Sequence, residues 1–313
     1  MKNEKRKVKN ALLIIIGVLL VAACGQSYEE TKRLTRQQRR EAARKDSAAL
    51  KVAVMPTLDC LPLYVAQHYD LYDTLRGGVR LKYYKAQLDC DTAVERGRVE
   101  GAVTDLVRAI RMAKKGTKMR YVATTNAYWQ MISNRNSRVK QVKQLDDKMI
   151  AMTRFSVTDM LADAAIDSAK LDKDHVFKVQ INDVFVRMQM LQNNIMDVLC
   201  LTEPQATWAR TMKNPVVLDT RDLGWQMGVI AFREKEMQRQ ARAKQLELFV
   251  KAYNQACDSI NKHGVAYYRD LIKERCKLKV ELADSLPKDL KFVHAQGPRQ
   301  EDVERVEAYL RVR

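Results

Sequence analysis

The sequence predicts an α/β protein with a largely parallel sheet, and three observations carry that reading. From Leu50 onward, short apolar strands alternate with helical segments. The chain's 313 residues suffice for two modest cores, so two domains are expected. The stretches Asp91 to Leu106 and Val186 to Glu203 echo each other: each runs helix, Gly or Asn turn, acidic residue and apolar strand, then ends in Thr plus a carboxylate.

The chain opens with five basic residues and Glu4 between Met1 and Asn10, followed by an apolar run from Ala11 to Ala23. That run is short for a spanning helix and reads as a signal peptide over residues 1–23. Val21-Ala22-Ala23 before Cys24 resembles a bacterial lipobox, which makes Cys24 the lipidated first residue of the mature protein. A cleaved secretory peptide, or an N-terminal anchor with an incidental cysteine, is the other reading. Residues 24–49 then form a basic tether with Lys32-Arg33, Arg36, Arg39-Arg40 and Arg44-Lys45, almost no apolar residues and no proline. With no face to bury, it reads as a solvated helix or a disordered linker.

The formal net charge is +18; losing the five basic residues and Glu4 of the leader takes four from it and leaves about +14. An exported chain meets no chromosome, so nucleic acid is excluded and anionic lipid headgroups or a membrane partner fit the basic surface better. Of six cysteines, five remain if Cys24 carries lipid. Cys60 with Cys90, and Cys257 with Cys276, are conceivable pairs, and small buried thiols are the alternative. No CxxC or zinc spacing occurs, and no metal or cofactor is expected.

Leu50 to Met55 reads as a buried strand ended by Pro56, and Thr57-Leu58-Asp59 as a polar turn. A helix opens at Leu61, with Pro62 in its first turn where a missing N–H costs nothing. The crevice beyond such a strand end is where ligands bind in open α/β sheets. Further strands are expected at Val79–Tyr84 after Gly77-Gly78, Glu100–Val103 and Met119–Thr125, with helices at Asp89–Arg96 and Asp105–Lys115. The scheme then repeats. Strands are expected at Tyr128–Ser133, Met149–Met152, His175–Gln180, Asp197–Leu201 and Pro215–Leu218. Helices are expected at Ser156–Lys170, Val184–Gln192 and Pro204–Met212, the first capped by Ser156 with Asp159 three residues on. Gln226 to Phe232 returns to strand character, and helices follow at Glu234–Ile260, Val265–Cys276 and Asp302–Arg311.

The segments from Leu50 to Asp73, Gly97 to Leu106, Met119 to Asn126, Val142 to Met152, Arg154 to Leu161 and Leu201 to Ala209 together resemble periplasmic solute-binding proteins of the nitrate, sulfonate and thiamine-pyrimidine class, which feed ABC importers. The resemblance covers about residues 50 to 275, through order and spacing rather than one strong motif. It implies two α/β lobes, each a mixed sheet flanked by helices, joined by a two-stranded hinge and closing on a ligand. Lobe I would comprise 50–126 plus 222–313 and lobe II 127–221, with the hinge near Thr125-Asn126 and Asp222-Leu223-Gly224. Ligand contacts are implied at Thr57, Leu58, Asp59, Thr104, Asp105, Thr124, Thr125 and Asn126 from lobe I, and at Ser156, Val157, Thr158 and Glu203 from lobe II. Cys60 departs from what many relatives carry there.

Residue chemistry leaves two roles open for several of these positions. The helix start at Ser156 offers free N–H groups and a positive dipole end, or is a plain N-cap. Asp59, Asp105 and Glu203 contact ligand or cap helices; three carboxylates at one cleft would suit a ligand with an amine or protonated heterocycle. Tyr128 and Trp129 stack on a flat ring or pack the junction. The expected function is a monomeric, membrane-tethered lipoprotein that captures a small organic solute for an ABC permease. A ligand-sensing or partner-binding lipoprotein is one alternative. An enzyme on the same fold, resembling the pyrimidine-forming enzymes of thiamine synthesis, is another, but His68, His175, His263 and His294 are scattered. No nucleophile elbow, P-loop or dinucleotide fingerprint occurs, so catalysis is not expected.

Overall fold

The computed structural model describes residues 28–72 and 78–312. The expected signal peptide over residues 1–23, Cys24, Asp73 and Gly77 lie outside the described residues. The chain falls into two units that meet in sequence between Ala48 and Ala49. The first holds helix α1, Tyr28–Ala48, whose described side chains are almost all exposed. Of the two conformations expected for residues 24–49, helix is observed over Tyr28–Ala48. Among the described residues no helix is long and apolar enough to cross a membrane.

The second unit contains two five-stranded sheets. One is built from β1 (Leu50–Val54), β2 (Val79–Tyr83), β3 (Gly101–Asp105), β4 (Met119–Thr124) and a late strand, Gly228–Arg233, in the order β2-β1-β3-late strand-β4. Both β2 and β3 run parallel to β1, and the late strand is antiparallel to its neighbours. The other sheet uses β5 (Gln130–Ser133), β6 (Lys148–Met152), β7 (Val176–Gln180), β8 (Val198–Leu201) and β9 (Val216–Asp219), in the order β7-β6-β8-β5-β9. Its β6, β7 and β8 are parallel and β5 is antiparallel to β8 and β9. The late strand is β10. Strand for strand the sheets correspond, and in each the antiparallel member is the one reached by crossing from the other lobe.

Those crossings run side by side. Thr125 N–H donates to the Gly228 carbonyl at 2.9 Å, and Thr220 N–H donates to the Trp129 carbonyl at 3.0 Å. Glycine is required at 228 by this approach, since a Cβ there would lie 2.8 Å from that of Ala127.

Helices α2 (Leu61–His68), α3 (Gln87–Glu95) and α4 (Leu106–Lys114) flank the first sheet; α5 (Val157–Ala169), α6 (Val184–Gln192) and α7 (Gln205–Thr211) flank the second. The expected long helix from Glu234 to Ile260 is two helices, α8 (Glu234–Met237) and α9 (Gln240–His263), interrupted at Gln238-Arg239. The expected Val265–Cys276 helix begins as a 3-10 turn and becomes α10 only at Arg269–Cys276, and α11 spans Gln300–Tyr309. Helix α9 belongs to the first lobe's core: Phe249 packs edge-on against Phe232 of β10, ring centres 5.2 Å apart. The second sheet buries a cluster on each face. A fourth cluster joins the lobes, with Leu106, Val107 and Ile110 of α4 against Val157, Met160, Met227 and Val306.

Candidate functional site

The carboxyl ends of both sets of parallel strands converge on one cavity of about 70 Å³. That is small beside the roughly 300–1,000 Å³ of pockets that bury drug-sized ligands. Met55, Thr57, Asp59, Gln87, Thr104 and Asp105 line it from the first lobe, and Trp129, Thr153, Ser156, Thr158, Asn182, Arg187, Cys200 and Thr202 from the second. The walls also touch directly. Leu58 N–H donates to the Glu203 carbonyl at 2.9 Å, Gln205 Nε2 to the Pro56 carbonyl at 2.9 Å, and Arg111 lies 3.9 Å over the Phe155 ring.

The first wall is set by how β1 and β3 end. After β1, residues Leu58–Cys60 form one 3-10 turn that delivers the chain into α2 and buries Asp59. Burial pushes the Asp59 carboxyl above its ordinary value, while the Thr57 hydroxyl, nearby backbone N–H groups and the Thr125 hydroxyl pull the other way. At the end of β3, Asp105 caps α4 by accepting the Arg108 N–H at 3.0 Å. Burial pushes the Asp105 carboxyl up to about 7. The Arg108 charge and N–H oppose this, Asp91 adds to it, and the Val157 N–H across the cleft opposes it. Arg108 is itself ion-paired with the buried Asp91.

The second wall begins at the start of α5. Ser156 caps that helix by accepting the Thr158 N–H at 3.1 Å, and its hydroxyl donates to the Thr153 carbonyl at 2.7 Å. Asp159 does not complete the expected capping box. Its carboxylate accepts the Phe155 N–H at 2.9 Å and a Lys178 ammonium hydrogen bond at 3.0 Å. Phe155 sits in the left-handed region at φ 56°, the sharp turn that lets the chain leave β6 and enter the helix.

Six of the residues that the resemblance implies as ligand contacts are brought together on the cavity: Thr57, Asp59, Thr104, Asp105, Ser156 and Thr158. The other implied contacts sit elsewhere. Leu58 is buried with its N–H spent on Glu203, and Val157 packs in the interlobe cluster. Thr124 donates to the Gly297 carbonyl at 3.0 Å, Thr125 lies at the crossing beside Asp59, and Asn126 leaves its Nδ2 buried without a partner among the described residues. Glu203 does not line the cavity, because Tyr128, Arg210 and the Thr207 N–H hold its carboxylate at 2.6, 2.7 and 3.0 Å. Of the two aromatic candidates, Trp129 lines the cavity; Tyr128 is turned to Glu203 with the Arg221 guanidinium 3.8 Å over its ring. The five described cysteines are all free and buried.

Gln87, Thr153, Asn182, Arg187 and Cys200 were not anticipated. Arg187 had a signal: it is the sole charged residue of α6. Its guanidinium donates to the Ile181 carbonyl at 2.7 Å, the Cys200 carbonyl at 2.6 Å and the Thr153 hydroxyl at 2.5 Å, gathering the ends of β6, β7 and β8. Burial lowers its pKa to about 10, which leaves it cationic near neutral pH. Among the described residues no cluster of His, Cys, Asp and Glu is arranged to hold a metal ion.

The family described as NMT1/THI5 like matches residues 57–265. No curated protein matches the chain by sequence. Among solved structures, the ligand-binding component of an ABC-type import system from Staphylococcus aureus, with zinc bound, superposes with a TM-score of 0.70 at 14% identity, over 84% of this chain and 91% of that one. The alkanesulfonate-binding protein SsuA from Xanthomonas axonopodis pv. citri, bound to MOPS, gives 0.69 at 13% identity over 85% and 92%. The periplasmic nitrate-binding protein NrtA from Synechocystis PCC 6803 gives 0.66 at 14% over 82% and 74%. These likenesses establish the two-lobed periplasmic binding protein fold.

Proposed function

The chain belongs to the NMT1/THI5-like family, and from that premise we propose that it is an extracytoplasmic solute-binding protein, tethered by lipid on Cys24, that delivers a small organic ligand to an ABC importer. The observation that carries this reading is the cavity at the meeting of the two strand-end walls. It is lined by buried polar groups from both lobes, including Asp59, Asp105, Thr158 and Arg187. Such a site gains most from a ligand that touches both walls at once, which is how binding drives hinge closure. The S. aureus protein is a component of an ABC-type import system, and the Xanthomonas and Synechocystis proteins bind alkanesulfonate and nitrate, which supports solute capture for import over sensing. The scattered histidines and the absence of a nucleophile-base constellation in the sequence support binding over catalysis.

Thermal-shift screening of the mature protein against a small-metabolite library tests the capture step. Binders are expected to raise Tm and to reduce the radius of gyration in small-angle scattering. A library without a single stabiliser would contradict solute capture. The tether has its own test: Cys24→Ala is expected to move the protein from the membrane fraction to the soluble fraction. Continued membrane association would refute lipid anchoring.

A further inference from the structure

Two ionisable side chains of opposite type, Arg187 and Asp59, face the cavity without a counter-ion, whereas Asp105 has the Arg108 charge beside it. Arg187 is 5% exposed, and its three acceptors are two backbone carbonyls and a threonine hydroxyl, all neutral. Its remaining N–H groups have no acceptor among the described residues. Asp183 is engaged in capping α6, taking the Phe185 N–H at 2.8 Å, and Arg108, the other guanidinium whose charge reaches Arg187, is held by Asp91. On the facing wall Asp59 is 9% exposed and forms no ion pair among the described residues; hydroxyl and N–H dipoles are its only neighbours of favourable sign. Ionising a buried side chain without a partner is costly, and both groups line the same cavity, so a ligand of complementary charge relieves that cost at each.

Resting on the solute-capture reading, we propose that the cleft takes a small amphoteric ligand, with a carboxylate, sulfonate or phosphate group against Arg187 and an ammonium or N–H donor against Asp59. A bare oxyanion leaves Asp59 uncompensated, and a simple amine does the same to Arg187. Each is therefore disfavoured relative to a molecule that carries both groups. Arg187 is in this view a specificity residue as well as the clamp on three strand ends.

The test is calorimetric titration, with thermal shift, of β-alanine, taurine and phosphoethanolamine, of the anion-only probes propionate and ethanesulfonate, and of the amine-only probe propylamine. The metabolite library is sorted by the same charge classes. Amphoteric compounds are expected to bind tightest, and the three amphoteric probes to rank the carboxylate, sulfonate and phosphate heads. Arg187→Met is expected to weaken them about thirtyfold or more, and Asp59→Asn about tenfold. Arg187→Lys retains the charge, so the preference for amphoteric ligands is expected to survive at reduced affinity; circular dichroism reports whether each variant folds. A purely structural arginine would lower Tm in Arg187→Met yet leave the ranking of charge classes unchanged. That outcome, or hits that are mainly neutral or singly charged, would overturn the amphoteric assignment and leave solute capture standing. Silence from the whole library would overturn both.

Discussion

The two walls of the cleft are built on sheets of the same strand order, and yet they meet the cavity with opposite charge. The third strand of each parallel set leads into Thr plus a carboxylate: Thr104-Asp105 at the end of β3, Thr202-Glu203 just after β8. Both threonines reach the cavity, but of the two carboxylates only Asp105 does. The difference lies in what surrounds each acid. Glu203 is drawn away by Tyr128, Arg210 and the start of α7, and Arg187 of α6 supplies the second wall's charge instead. A repeated scaffold thus preserves where a side chain starts, and the neighbours decide what it faces.

Removing the anchor of one carboxylate gives the largest expected break in this comparison. Glu203→Ala strips acceptors from the buried Tyr128 hydroxyl and from Arg210 and is expected to destabilise the protein by about 3 kcal/mol in urea denaturation. Because Glu203 is not on the cavity, the variant that remains folded is expected to retain the wild-type preference among ligand charges. An altered preference would mean that Glu203 acts on the ligand as Asp105 is placed to do.

A smaller effect is expected at Asp105. Its carboxyl is raised to about 7 in the folded protein, so from the ordinary carboxylate range up to that value the folded state holds a proton that the unfolded chain has released. Stability therefore falls as pH rises through that window, with the loss complete above it and absent below it. Asp59 and Asp91, also raised by burial, act in the same direction, whereas Asp219, whose burial is outweighed by the hydrogen bonds it accepts from Arg221 and Gln130, is held down and acts oppositely at lower pH. Asp105→Asn keeps a capping oxygen and is expected to flatten part of that decline, gaining about 2 kcal/mol near pH 8. An unchanged pH profile of urea stability would show that Asp105 carries no such penalty.

How much of this could be read from residues alone follows the same divide. Strand ends and helix starts are local features, so Thr57, Asp59, Thr104, Asp105 and Ser156 could be placed at them from alternation, a proline and a cap, while their role as ligand contacts, and that of Thr158, came from the family resemblance. The two crossings were expected from the family resemblance, whereas the order of strands within each sheet was not read from the sequence. What escaped depends on distant partners. Glu203 resembles Asp105 in its local sequence, and only the return of Tyr128 at the crossing and of Arg210 one helix later turns it aside. Arg187 stands alone in an apolar helix, a pattern that identifies an unusual residue without telling that β6, β7 and β8 end around it. The break in the helix at Gln238-Arg239 has no proline or glycine to announce it.

Hydrogen exchange on the protein, with and without a ligand from the screen, is the most direct measurement of the claim that both walls hold one solute. Simultaneous protection is expected at Thr57 to Cys60 and at Thr153 to Thr158, with the end of β8 joining them. Protection confined to one wall, or placed instead at the separate surface lined by Trp225 and Tyr309, would contradict it.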